Sequence, residues 1–217
     1  MEMFAKLAEI TIPVWLTIAA LVVLAVALLV TAAKTKWTAR MLAVGAICLA
    51  ASFVLSYMRL FKMPQGGSIT VMSMLPVMLF AYLYGVGPGL VCGLAFGILQ
   101  FIQEPYFYTV PQFALDYLVA FAVLGFAALG AKLPGKDIVK LPIGVALGGL
   151  LRTISSFLSG YLFFAEYAPE GMHPAVYSLV YNFSSIGVDT LVCIIGAVLL
   201  AGTGILTMLK KSAAQHR

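Results

Sequence analysis

Residues 151–182 read LRTISSFLSGYLFFAEYAPEGMHPAVYSLVYN, and their reading decides the fold. The stretch opens as an apolar run carrying a lone arginine, Arg152. It closes as a second apolar run headed by Tyr177, Tyr181 and Asn182. Between them lies a polar turn with Glu166, Pro169, Glu170, Gly171 and Pro174. Proline and glycine at this density end helices. Two hydrophobic helices joined by a polar, aromatic-flanked turn make one wall of a pocket that opens at a membrane face.

The composition agrees. Of the 217 residues, 63% are hydrophobic and only 10% are charged, where a soluble domain carries roughly 25% charged residues. There is too little polar surface to coat a water-soluble globule, and long apolar runs recur, so the chain reads as an all-α, polytopic membrane protein. The net charge of +5 does not point to nucleic acid, because no basic run has aromatic residues interleaved. The cations collect at helix ends instead, as the positive-inside rule expects. Cys48, Cys92 and Cys193 lie inside apolar runs without CxxC spacing, so they read as small core residues and not as a disulfide frame or metal site.

Outward from the central stretch, the chain divides into three parts. Residues 1–37 hold an amphipathic start (Glu2, Lys6, Glu9) and a first transmembrane helix, Ile10 to Ala33, with no clean cleavage site after it, hence retained. Residues 38–209 hold the remaining spans, and 210–217 form a basic tail. In the second span Ala39, Ala43, Ala46 and Ala50 leave one helix face nearly bald. Such a face packs closely against another helix, within the chain or in a partner. KMPQGGSIT, residues 62–70, reads as a turn with Ser68 and Thr70 as caps. A short span to Tyr84 is interrupted by Pro76. GVGPG lacks the lysine of a phosphate loop and reads as a turn. Gly85, Gly89, Gly93 and Gly97 make a four-residue ridge for a neighbouring helix. Further spans run over 113–131, 141–164 and 174–209. If every span crosses, Lys34, Lys36, Arg40, Lys132, Lys136, Lys140, Lys210 and Lys211 share the cytoplasmic side. The N-terminus is then outside, with KMPQGGS, QEPYFYTVP and EYAPEGMHP.

Charges inside a membrane are costly and mark function. Asp116, Arg152 and Asp189 qualify, and Arg152 pairs in this reading with Asp116 or with Asp189. Arg152, Ser156, Gly160 and Phe164 recur every four residues and form one stripe. Gly160 leaves room there for a ligand or for a helix. Tyr177 and Tyr181 share a face and serve either the pocket or the membrane interface. Asn182 needs partners for its amide. Aromatic faces with a carboxylate suit a flat, cationic or amine-bearing heterocycle. No nucleophile–base pair, zinc motif or nucleotide loop is present, so neither catalysis nor ATP hydrolysis is expected of this chain, and no cofactor is implied.

KMPQGGSIT with SMLP (73–76), ALDY (114–117) and the pattern of SG, FF, YAPEG, YSL and YN within 159–182 together resemble the thiamine-specific substrate-binding subunits of energy-coupling factor (ECF) transporters. The resemblance covers most of the chain, Ala39 to Leu200. It implies a six-helix bundle, with Ile10–Ala33 as an extra N-terminal helix. It also implies capture of thiamine from outside, by tight non-covalent binding with the KMPQGGS loop as a lid. Partners would be a transmembrane coupling protein, docked on the alanine face, and two ATPases. The family's ligand contacts fall on Tyr106, Asp116, Tyr117, Gly160, Tyr177 and Asn182. Ser156 and Phe164 stand where relatives often carry histidine and tryptophan. Arg152 is the intramembrane charge partner. A thiamine-precursor pyrimidine is the alternative ligand, and an intramembrane enzyme using Asp116, Arg152 and Asp189 the alternative class.

Overall fold

The structure is a computed structural model that describes residues 12–63 and 67–214. The amphipathic start, residues 64–66 of the KMPQGGS loop and the last three tail residues lie outside the described residues. Among those described there are eight helices and one hairpin. Helix α1 is Ile12–Lys34 and α2 is Ala39–Tyr57. Strands β1 (Arg59–Lys62) and β2 (Ser68–Thr70) come next. Then come α3 (Leu75–Tyr84), α4 (Val86–Gln103), α5 (Val110–Lys132), α6 (Asp137–Phe163), α7 (Pro174–Gly202) and α8 (Ile205–Ala214).

Helices α2, α4, α5, α6 and α7 are long and apolar enough to cross a membrane. Helix α3 is not. Its ten residues rise only about 15 Å, half of a hydrocarbon core of roughly 30 Å. Leu75, Val77, Met78, Phe80, Ala81, Tyr82 and Leu83 are buried, because the other helices wrap α3. Pro76 starts α3 rather than interrupting it: it stands in the first turn, where its missing N–H costs nothing. The core extends from α3 through Phe96, Phe121, Leu124, Leu141, Val145 and Cys193.

Helices in lipid gain little from hiding apolar surface from each other, so close backbone approach holds them. The glycine ridge of α4 supplies it. A methyl group on Gly93 would sit 2.3 Å from the Phe121 carbonyl oxygen, and one on Gly97 2.0 Å from that of Tyr117. The ridge is where α4 meets α5.

Several boundaries differ from the sequence expectation. The stretch read as a helix end and a turn is an antiparallel hairpin, pairing Arg59 with Thr70 and Lys62 with Ser68. Ser68 is therefore a strand residue and caps nothing. Helix α5 starts three residues early, at Val110, because Thr109 Oγ1 accepts the Gln112 N–H at 3.2 Å and Pro111 fits the first turn. The last span ends at Gly202. Gly204, at φ 75°, turns the chain into α8. Lys210 and Lys211 thus belong to a docked helix and not to a free tail. Leu206 and Ala213 are buried, and Lys210 Nζ lies 2.9 Å from Asp137 Oδ2. Asp137 also accepts from the Tyr82 hydroxyl at 2.8 Å, and Arg40 donates to Ser212. Those contacts gather the lysine-rich helix ends at one end of the bundle. The hairpin and the loops after α4 and α6 gather at the other.

Candidate functional site

At the hairpin end a cavity of about 160 Å³ opens between α4, α5, α6, α7 and the hairpin. Tyr106, Asp116, Tyr117, Ser156, Gly160, Phe164, Tyr177 and Asn182 all line it, as does Arg152. Ala39, Ala43, Ala46 and Ala50 do not; they are exposed on the outer face of α2. Glu166 and Glu170, in the loop between α6 and α7, also stay outside the cavity.

The carboxylate comes from a distorted stretch of α5. Residues Ala114–Val119 form a π-helical segment, whose wider turn carries Asp116 and Tyr117. Its bonds run five residues along the chain, and the Ala120 N–H donates to the Leu115 carbonyl. Ser155 Oγ, from α6, donates to the Leu115 carbonyl at 2.8 Å and steadies the turn. One oxygen of Asp116 accepts from Gln112 Nε2 at 2.7 Å. Gln112 is fully buried, and its Oε1 accepts the Tyr108 N–H at 3.0 Å. The Tyr117 hydroxyl donates to the Glu104 carbonyl and accepts the Tyr106 N–H, both at 3.1 Å. The loop after α4 is therefore tied to the same turn that holds Asp116.

The opposite wall is α6 against the start of α7. Asn182 Nδ2 donates to the Ser178 carbonyl at 2.9 Å and to the Ser156 carbonyl at 3.2 Å. Ser178 Oγ donates to the Phe157 carbonyl at 2.8 Å. Gly160 is small for the sake of this helix contact: a methyl group there would meet Ser178 Oγ at 2.3 Å. A second π-helical segment, Phe183–Gly187, comes directly after Asn182, and Ser185 Oγ bonds back to the Tyr181 carbonyl at 3.0 Å.

Rings crowd the outer end. Phe164 lies 5.8 Å from Tyr106 and 6.0 Å from Tyr108, and Tyr177 lies 6.0 Å from Tyr181, between centroids. These spacings suit offset and tilted ring contacts. Burial, and then the neighbouring Tyr167, push the Tyr106 hydroxyl above the ordinary tyrosine range, so it stays a donor at neutral pH.

The hairpin closes the remaining side with Arg59, Gly67, Ser68 and Thr70. Asp189 Oδ1 accepts from both the N–H and the hydroxyl of Thr70, each at 2.9 Å. Arg59 lies 2.6 Å from Glu104, and Lys62 pairs with the same carboxylate. This corrects one expectation. Neither Asp116 nor Asp189 forms an ion pair with Arg152 among the described residues. Asp189 holds the hairpin, Asp116 is held by Gln112, and the Arg152 guanidinium lies over the Phe121 ring with its carbon 4.1 Å from the centroid. Sequence reasoning gave no site role to Gln112 or Glu104 and read Thr70 only as a cap, which it is for the Ser73 N–H at 3.4 Å. Gln112 alone carried a usable signal, a polar residue one helical turn before Asp116.

A helical membrane bundle with a polar, aromatic cavity at its hairpin end is the build of a membrane solute-binding protein. Residues 42–208 match the family model described as Thiamine transporter protein (Thia_YuaJ), and the chain belongs to that family. The match begins at Leu42, so α1 and the first turn of α2 lie outside it. The chain is 38% identical over 149 residues to the thiamine transporter ThiT of Bacillus subtilis, covering 64% of this chain and 77% of that protein. It is 27% identical over 135 residues to ThiT of Lacticaseibacillus paracasei, covering 56% and 67%. The structure of ThiT from Listeria monocytogenes superposes with a TM-score of 0.69 at 25% identity, over 78% of this chain and 96% of that one.

Proposed function

We propose that this chain is the thiamine-capturing membrane subunit of an ECF uptake transporter, binding the vitamin without chemistry and leaving ATP hydrolysis to partner proteins. The observation that carries the reading is the charge of the cavity. On its inner walls two carboxylates (Asp116 and Asp189) face one guanidinium (Arg152), an excess of one negative charge, while Glu104 at the mouth is already met by Arg59 and Lys62. A monocation neutralises that excess. Thiamine is a monocation built of two flat rings, and the rings at the mouth offer faces to stack on. A neutral precursor pyrimidine would leave the excess unmet. The family relationship and the relatives' names support the same ligand.

Isothermal titration of the purified protein with thiamine tests the reading. One site is expected, and a ligand at a hundred times its dissociation constant stabilises the fold by about 2.7 kcal/mol, a clear rise in melting temperature. No heat and no thermal shift at micromolar thiamine would count decisively against it. Competition with the free aminopyrimidine separates the two ligands: the pyrimidine is expected to displace thiamine only weakly.

The same reading orients the chain with the cavity and N-terminus outside and the lysine-rich end in the cytoplasm, as the positive-inside rule requires. In whole cells a membrane-impermeant maleimide is expected to label Glu170→Cys and to spare Lys136→Cys. The reverse pattern would invert the topology.

A further inference from the structure

A second cavity, of about 390 Å³, opens at the lysine-rich end of the bundle. Its walls are Lys36 and Thr38 of the α1–α2 linker, Arg40 in the first turn of α2, Tyr84 at the end of α3, Pro88 in the first turn of α4 and Ala213 in α8. Among the described residues neither Lys36 nor Arg40 has a carboxylate oxygen within 4.0 Å. The lysine-rich end holds one described carboxylate, Asp137, and Lys210 already meets it at 2.9 Å. A guanidinium carries several N–H donors, and Ser212 takes one of those of Arg40. The cavity therefore has two cationic walls and no anion of its own. Lys36, Thr38 and Arg40 all precede Leu42, where the family match begins. These cations belong to the segment that this chain carries ahead of the family core.

The surroundings of the cavity are apolar on the membrane side. Helix α1 packs on α4 and on the start of α5, whereas α2 packs on α3 and α4. The two helices thus leave their shared linker and part over α4. The contact of α1 with α4 is close: a methyl group on Gly87 would sit 2.0 Å from Thr31 Cγ2. Val26 and Val30 on α1, and Leu42 and Ile47 on α2, are exposed. Trp37, next to Lys36, is exposed as well, and tryptophan is enriched at the headgroup level of a bilayer. A soluble anion would use only the cations. An amphiphile with an anionic head would use the cations and the apolar flanks together.

We propose that this cavity is a binding site for an anionic phospholipid, with the phosphate held by Lys36 and Arg40 and the acyl chains lying along the apolar flanks of α1 and α2. Basic pockets between membrane helices take anionic headgroups in this way. The guanidinium offers paired donors to phosphate oxygens, and the ammonium adds a compact charge on a flexible stem. The first turn of α2 adds the positive end of a helix dipole. None of the residues lining this site lines the cavity at the hairpin end, so the inference stands apart from the thiamine reading.

The test is native mass spectrometry of the full chain in an uncharged detergent, titrated with phosphatidylglycerol and with phosphatidylcholine of the same acyl chains. Wild type is expected to retain one phosphatidylglycerol at a concentration at least tenfold below that needed for phosphatidylcholine. Equal retention of the two lipids overturns the proposal. Lys36→Gln is expected to weaken phosphatidylglycerol binding at least tenfold. Lys34→Gln removes the same charge two residues away but outside the cavity, and is expected to stay within twofold of wild type. Equal weakening by the two variants would mark a diffuse basic surface and overturns the site, as does Lys36→Gln within twofold of wild type. Melting temperature without lipid is recorded for each protein. Should Lys36→Gln not fold, Arg40→Gln carries the test with the same tenfold expectation, and affinity within twofold of wild type overturns the proposal. Inorganic phosphate and glycerol 3-phosphate, added in large excess over the lipid, separate a soluble phosphate from a lipid headgroup. Neither is expected to displace phosphatidylglycerol, and displacement by either would assign the cavity to a soluble anion and overturn the lipid.

Discussion

Asp116→Asn is expected to remove most thiamine binding, by about 2–5 kcal/mol, the usual loss when one member of a buried charge pair is truncated. That is roughly thirty-fold to several-thousand-fold in dissociation constant. The substitution keeps shape and hydrogen-bonding capacity. The side chain stays the same length, and the asparagine carbonyl can still accept from Gln112 Nε2, now 2.7 Å from the carboxylate. What disappears is one negative charge from inner cavity walls where Asp116 and Asp189 face the single cation Arg152. The loss is therefore assigned to charge and not to packing. The unliganded protein is expected to melt no lower than wild type, because a carboxylate held in a membrane span costs free energy when no cation is bound. Affinity within threefold of wild type would remove Asp116 from the ligand site and, with it, the electrostatic case for a cationic ligand. Asp116→Ala separates the second contribution: it also frees Gln112, so the turn that fixes Tyr108 and Tyr106 loosens, and the loss should exceed that of the asparagine variant.

Local periodicity made part of this site visible in the sequence, and long-range competition hid the rest. Arg152, Ser156, Gly160 and Phe164 share a cavity wall because α6 is a regular helix from Asp137 to Phe163, where four-residue spacing translates directly into a face. The glycine ridge of α4 was readable for the same reason. Partner choice was not readable. Whether Arg152 meets Asp116 or Asp189 depends on rotamers and on competing donors. Gln112 and Thr70 are such donors, one a turn away and the other more than a hundred residues distant. The two π-helical segments were equally hidden. Each shifts the register of the helix beyond it, and each is stabilised by a serine that looks like any other small residue in an apolar run, Ser155 for one and Ser185 for the other. Strands of four and three residues leave too short an alternation to separate a hairpin from a helix end. Gly160 shows the limit plainly: the sequence indicated a place for something small, and the packing decided that Ser178 takes it.

Leucine at both Ala43 and Ala46 is expected to stop thiamine uptake by cells while leaving thiamine binding by the purified protein unchanged. Helix α2 buries only Met41, Ser52 and Ser56. Its one bundle-facing glycine, Gly45, points at the Phe80 ring, 3.2 Å from where a methyl carbon would lie. Ala39, Ala43, Ala46 and Ala50 point the other way and are exposed, beside the equally exposed Leu42, Ile47 and Val54. Packing among the described residues thus leaves the alanine stripe unused. In lipid a bald stripe has value only when a second helix comes close enough to touch its backbone. A larger side chain holds that helix off. Overpacking costs about 1–3 kcal/mol per site, so two sites weaken docking by roughly thirty-fold to twenty-thousand-fold. The cavity is unaffected because none of the four alanines lines it. Two measurements on one variant decide the matter: labelled thiamine accumulating in cells, and calorimetry on the isolated protein. Normal uptake would show that the coupling partner docks elsewhere. Equal loss of uptake and binding would show that α2 supports the cavity, and the stripe would then be no docking surface.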